Sequence, residues 1–178
     1  IDQRASTVTQ LAGTTLTGGT WSVADGATWL FFPAVDAIGA GATVAIGGTG
    51  RIDRDAFQRS PALADLGRVD GALRLTDGAS FSTTQPLAVG GSVVLDATSS
   101  FTAPAITMAP TATLQTSIGA GSAGRLITPR AGVDGTLAVR STESTAPGRT
   151  LVVESTNVTG AFDTIDTDER SAGAIVEL

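Results

Sequence analysis

The chain has no cysteine, histidine, tyrosine or lysine among its 178 residues. Without imidazole it cannot build a Ser-His-Asp or Cys-His nucleophile or a histidine-based zinc site, and without a thiol it has neither a thiolate nucleophile nor a disulfide. The lack of lysine removes Schiff-base chemistry, the phosphate-binding lysine of nucleotide sites and a lysine–asparagine isopeptide crosslink. No cofactor, no metal and no catalytic residue is therefore expected. What remains open is carboxylate chemistry, in which a glycosidase needs two carboxyls facing one cleft. Asp36 and Asp96 are the first candidates for such a pair, and nothing in the sequence places them together. Aromatic residues make up only 4 % of the chain. The longest apolar cluster, WLFFPAV from Trp29 to Val35, falls far short of the roughly 20 residues of a membrane span. All eleven cationic residues are arginine, and the net charge is −6. An acidic surface repels phosphate backbones and anionic bilayers, so nucleic acid is not an expected partner and membrane insertion is not expected. The absence of cysteine gives no clue to the redox compartment. The chain begins at Ile1 without a basic, signal-like segment, which reads as a mature or excised piece of a longer protein.

What the chain does have is glycine, 22 residues of it, with abundant threonine, serine, alanine and valine. Small and β-branched side chains suit strands and tight turns better than helices. Within this composition one phrase recurs. Trp21, Val23 and Trp29 enclose Asp25-Gly26-Ala27-Thr28; Leu73, Leu75 and Phe81 enclose Asp77-Gly78-Ala79-Ser80; Val93, Leu95 and Phe101 enclose Ala97-Thr98-Ser99-Ser100. A fourth copy reads as Ile106, Met108 and Leu114 around Pro110-Thr111-Ala112-Thr113, and a weaker one as Ile38 and Val44 around Ala40-Gly41-Ala42-Thr43. Two apolar residues two positions apart share a strand face. Asp-Gly at Asp25, Asp70, Asp77 and Asp134 supplies corners, because glycine accepts positive φ and aspartate bonds its own backbone. Leu87 and Val89 form another inward pair before Gly90-Gly91.

One circuit from Leu73 to Val93 takes about 20 residues, and Val93 to Ile106 reads as a shorter one, an irregularity natural solenoids tolerate at corners. The expected fold is all-β, a right-handed parallel β-helix (β-solenoid) of roughly nine irregular rungs and on the order of 40 Å long at the ordinary strand spacing. It is expected to form a single domain over 1–178. An antiparallel sandwich or barrel also has short, evenly spaced strands, but it does not demand a self-similar phrase.

These phrases resemble the β-helices of bacterial surface proteins, the autotransporter passenger and filamentous-haemagglutinin-like adhesin group, where GxLxLxxGAxF is common. The resemblance covers mainly Gly71 to Ile165. It extends to Gly135-Thr136-Leu137-Ala138-Val139, to the loop and strand Ala146-Pro147-Gly148-Arg149-Thr150-Leu151-Val152-Val153-Glu154, and to Thr159-Gly160-Ala161-Phe162-Asp163. It implies secretion and display at the bacterial cell surface, and neighbouring rungs or domains in a parent chain. It specifies architecture and leaves activity open, because such families include adhesins, spacers and some enzymes.

From about 51 to 70 the phrase gives way to RIDRDAFQRSPALADLGRVD. This charged excursion predicts a short helix from about Asp55 to Leu66, interrupted at Pro61. Its plain reading is that Phe57, Leu63 and Leu66 cover the core while the charges face water. Its functional reading is a ligand site in which Arg51, Arg54, Arg59 and Arg68 hold an acidic glycan or a carboxylate. Three motif matches carry no chemistry. Gly119 to Gly124 fits GxGxxG without a following helix; Gly47 to Asp53 approaches the GGxGxD calcium repeat with Ile52 in a ligand position; Asn157-Val158-Thr159 is a glycosylation sequon that matters only in a host that glycosylates it. Threonines 14, 15, 17, 111 and 113 do not make the regular stripe of an ice-binding face. The expected function is an extracellular adhesin-like or structural display rod, non-catalytic, with host or bacterial surface glycans or proteins as partners. The alternative is a carbohydrate-binding or polysaccharide-cleaving β-helix.

Overall fold

The apolar pairs of the sequence lie on the inward faces of strands that stack in parallel, coil upon coil. A computed structural model describes residues 9–31, 33–54, 60–119, 121–141, 149–168 and 175–177. Among these residues there is no helix, and the strands form a β-solenoid of about six turns. At the usual strand spacing of about 4.8 Å the stack is roughly 30 Å long. The smaller number of turns has a simple cause: each turn uses three strands, so it takes 20 residues or more.

Each full coil presents three faces in chain order. The second face carries the most regular column, in which Trp21, Val44, Leu73, Val93, Leu114, Leu137 and Ile165 lie in register on successive coils. Two residues on, Val23, Ile46, Leu75, Leu95, Thr116, Val139 and Thr167 form its companion. The first face stacks Leu16, Ile38, Val69, Val89 and Met108, with Leu87, Ile106, Ala131 and Val158 beside them. On the third face Phe81, Phe101, Leu126 and Val153 stack, and Trp29 pairs with Ile52 nearer the start of the chain. The Phe81 and Phe101 rings are 5.6 Å apart and nearly parallel. Burying an aliphatic side chain of this size contributes about 1.5–3 kcal/mol. Columns of them therefore carry the fold, with backbone ladders fixing their register.

Two sequence expectations change here. Ile106 and Met108 do not open a fourth copy of the phrase: they stack on Leu87 and Val89, and Leu114 stacks on Val93. Likewise Ile38 belongs to the first face and Val44 to the second. The reason is the corner between these faces, where only Gly90 and Gly91 separate the strands of one coil but Ala109 to Ala112 separate those of the next. The longer corner, closed by an Ala112 N–H to Ala109 O bond of 2.9 Å, imitates the Asp-Gly turn that follows the second face. A circuit from Val93 thus ends at Leu114, and no short circuit exists there.

The predicted helix at 55–66 is also replaced where it is described. Residues 55–59 lie outside the described residues. Pro61 forms an antiparallel bridge with Asp53, and Ala62 donates its N–H to Ile52 O at 2.8 Å. Ala62, Leu63 and Leu66 are buried, which bears out the covering role expected of Leu63 and Leu66; Phe57 is not among the described residues. The ladder includes Arg51–Asp53 and resumes at Arg68–Val69, so the departure from it is narrower than 51–70. Thr83 anchors the segment, its hydroxyl donating to Leu66 O at 2.6 Å and standing 3.1 Å from Ala64 O.

The corner between the first and second faces also explains much of the glycine. A Cβ on Gly91 would stand 2.1 Å from Gly71 O and 2.3 Å from Asp70 O, and one on Gly71 would stand 2.1 Å from Ala42 O. Backbone packs on backbone there, with no flexible side chain to yield. Gly91→Ala is expected to lose about 3 kcal/mol, the upper range for an inserted methyl group. Gly132→Ala, whose Cβ would meet nothing closer than 3.6 Å, should stay within about 1 kcal/mol of the parent. Chemical denaturation of both variants checks this, and equal losses would show that the close approach does not constrain the stack.

Candidate functional site

Two of the four arginines of the excursion, Arg51 and Arg68, are engaged by neighbouring carboxylates. The Arg51 guanidinium reaches the Asp53 carboxylate, with Nη2 to Oδ1 at 3.1 Å and Nε to Oδ2 at 3.2 Å. Asp53 is only 2 % exposed, so this charge is covered by the rod and neutralised from its surface. Arg68 pairs with Asp70 at 2.5 Å; the hydrogen bond and then the charge of Asp70 hold its guanidinium above its usual pKa. Arg54 makes no side-chain ion pair among the described residues and donates its backbone N–H to Ser60 O at 2.7 Å. Arg59 lies outside the described residues. Arg51 and Arg68 thus stand on separate strands, each with its own carboxylate.

The acidic residues are distributed in the same way. Asp36 precedes the first face, its carbonyl accepting from Gly67 and Arg68 N–H. Asp96 stands at the corner after the second face, a different edge of the prism. Asp166 pairs with Arg140 on the preceding coil, and Asp168 Oδ2 accepts the Ser141 N–H at 2.9 Å. Glu169 is outside the described residues. Among the described residues no group of three or more acidic side chains is arranged to hold a metal ion. The GGxGxD-like stretch serves as a clasp: Asp25 Oδ1, one coil earlier, accepts from the Thr49 N–H at 2.8 Å and the Thr49 hydroxyl at 2.9 Å. The Thr49 backbone bond, followed by the Thr49 hydroxyl, lowers the Asp25 pKa against a small opposing effect of burial. At the GxGxxG match, Ile118–Gly119 pairs antiparallel with Ser122–Ala123.

Comparison of the chain with family models, curated proteins and solved structures finds no match. The site must therefore be read from its geometry. Two features were not foreseen from the sequence. One is a shallow groove of about 380 Å³ along the corner between first and second faces, lined by Thr43, Ser92, Thr113, Asp70 and small residues. Its hydroxyls belong to an outward column on successive coils, Thr20, Thr43, Ala72, Ser92, Thr113, Thr136 and Thr164. The adjacent outward column, with Ala45, Arg74, Val94, Gln115, Ala138 and Asp166, is irregular, so the surface is no repeating threonine plane. The other is a stack of Asp-centred turns on the next corner. The Asp77 N–H donates to Asp96 Oδ2 on the following coil, and Asp96 Oδ1 accepts the Thr98 N–H at 3.0 Å. Only a coil-by-coil register would have exposed either feature, because their members are about 20 or more residues apart.

Asp96 is the most constrained of these carboxylates. Partial burial pushes its pKa up, but the polar groups around it, among which the Thr98 and Asp77 N–H groups and the Thr98 hydroxyl donate to it directly, outweigh burial and hold it below the usual carboxylate value. A carboxylate whose folded pKa is depressed stabilises the fold above its unfolded value and loses that contribution as pH falls through the folded one. The Asp96→Asn variant is expected to be less stable than the parent at pH 7, with the difference shrinking below about pH 4. Thermal unfolding from pH 7 to pH 2.5 measures it; a difference that does not depend on pH would show that the charge contributes nothing.

Proposed function

We propose that the chain is a non-catalytic display rod of an extracellular, adhesin-like bacterial surface protein, in which coils present or space a recognition element. The observation that carries the reading is the disposition of the carboxylates. Among the described residues most sit at corners or coil ends, with Asp25, Asp70, Asp96, Asp166 and Asp168 bound to an arginine or to backbone N–H groups, and the two candidates Asp36 and Asp96 stand on different edges rather than facing each other across one cleft as carboxylate hydrolysis requires. Ladders on two faces joining each coil to the next, with a third-face ladder along part of the stack, make a stiff spacer, an acidic, cysteine-free exterior suits an extracellular surface, and the GxLxLxxGAxF phrase supports the autotransporter-passenger and haemagglutinin-like resemblance. The rungs or domains of a parent chain, and surface glycans or proteins, are the partners this reading supplies.

A second reading, a carbohydrate-binding or carbohydrate-cleaving β-helix, draws on the hydroxyl-lined groove, whose length along the coils suits an extended polymer. Two assays of the purified protein separate them. Under the rod reading, incubation with a panel of acidic and neutral polysaccharides releases no new reducing ends, and turnover abolished by Asp96→Asn would overturn it. On a glycan array, binding lost on Ser92→Trp, which fills the groove, would replace the rod by the carbohydrate-binding reading. Binding lost instead on joint Arg54→Gln and Arg59→Gln substitution would make the excursion the recognition element that the rod displays.

A further inference from the structure

The two ends of the stack are built differently. At the start, Leu11–Ala12 turns back and pairs antiparallel with Thr15 and Leu16, and the Thr17 N–H donates to Gln10 O at 2.7 Å. Trp21 and Trp29 stack at 5.1 Å with the Phe31 ring 5.5 and 5.7 Å away, and the Trp21 indole N–H is satisfied by Gly18 O. This end is closed by an antiparallel strand and an aromatic plug. At the other end Ile175–Glu177 pairs in parallel with Arg149–Leu151, and among the described residues no antiparallel strand or aromatic cluster closes the last coil. Val44, Leu73, Val93, Leu114 and Leu137 are at most 2 % exposed, yet Ile165, next in the same column, is 60 % exposed.

The backbone repeats the asymmetry. Thr164 N–H donates back to Gly135 O, and Asp168 N–H to Val139 O. In a parallel ladder both groups of every second residue point the same way, so Ile165 and Thr167 direct their N–H and C=O groups away from the stack. The Asn157–Gly160 strand, paired with Arg130–Val133, has no further partner among the described residues. The edge is also acidic, with Asp163, Asp166 and Asp168 close together in sequence, and cross-coil pairing in this chain sets arginine against acid, as Arg140–Asp166 and Arg125–Glu154 do.

We propose that the edge formed by Asn157–Gly160 and Thr164–Thr167 is a docking site for one further parallel coil, aliphatic over Ile165 and carrying arginine toward the aspartates. The proposal continues an interface already repeated along the stack and does not depend on what the rod displays. A second copy of the chain is a poorer occupant: its leading end is closed by Leu11–Ala12, and its trailing end would set Asp163, Asp166 and Asp168 against themselves. Edge strands that stay exposed in a protein are normally blunted by charge, proline or a bulge; Thr164–Thr167 has no proline and no bulge, and its one charged side chain, Asp166, is paired with Arg140 on the coil before it.

The segment GTLAVRS at residues 135–141 already pairs with the opposite side of Thr164–Thr167, so a labelled peptide of that sequence stands in for the docked strand. The whole protein is expected to bind it saturably by fluorescence anisotropy. Ile165→Lys, a change at an exposed position that should leave the thermal transition in place, is expected to weaken binding by about tenfold or more. A peptide with glutamate in place of its arginine should also bind more weakly. No saturable binding by folded protein, or equal binding by Ile165→Lys, overturns the proposal. Concentration-dependent dimerisation in sedimentation, abolished by Ile165→Lys, overturns it in favour of a second copy as the occupant.

Discussion

Everything in this molecule depends on the parallel hydrogen-bonded contact between one coil and the next. That contact sets the spacing along the axis, and the spacing dictates which side chains can occupy a column. A column member touches its equivalents above and below, so aliphatic stacks such as Val44, Leu73, Val93, Leu114 and Leu137 exclude water without large aromatic residues. The scarcity of aromatics then ceases to be a deficit of core. Where the described stack ends, the requirement changes: Trp21, Trp29 and Phe31 gather at its leading end, where large rings cover apolar side chains that no described coil covers from that side.

The same contact restricts the corners. Carbonyls of one coil approach the α-carbons of the next so closely at Gly71 and Gly91 that a methyl group would overlap them. The glycines of the chain therefore answer two demands. Gly26 and Gly78 occupy turns after the second face with φ of 68° and 78°, where conformational freedom is needed. Gly71 and Gly91 have no such φ and are needed for space. Polar residues that point inward obey a related constraint: Thr116, fully buried in a second-face column, donates its hydroxyl to Gly124 O at 2.7 Å, so the column accepts a hydroxyl only by tying it to a corner.

The architecture was legible because the determinant of the fold is periodic and local. Leu73-x-Leu75 and Val93-x-Leu95, with Phe81 and Phe101 six residues after the second member, repeat at the coil length, and the structure places them one above another. What failed was phase. Met108 to Leu114 has the same offset as Leu75 to Phe81, although one crosses the corner before the second face and the other the corner after it. Spacing alone cannot distinguish two corners built from similar small residues. The first-face pairs Leu87-x-Val89 and Ile106-x-Met108 held the missing information, since aligning them forces Leu114 onto Val93. The helix expected near Pro61 failed for a different reason: apolar spacing there serves docking on a rod, and a backbone bridge to Asp53 outweighs helical propensity.

The candidate site was less legible because partners are set by neighbouring coils or by the chain's path at a strand. Four arginines in a charged stretch read naturally as an anion site, but an arginine two residues from an aspartate on a strand lies on the same side of it. Arg51 with Asp53 and Arg68 with Asp70 both follow that rule, and each pair consumes the charge that a ligand would need. The cross-coil clasps Asp25–Thr49 and Asp77–Asp96 follow the complementary rule, joining residues about one coil apart. In a solenoid a polar group is thus drawn either to its own strand or to the next coil, and these two distances account for most of the carboxylates seen here. A carboxylate free to do chemistry would have to escape both, which is a stringent condition on a surface made almost entirely of repeating neighbours.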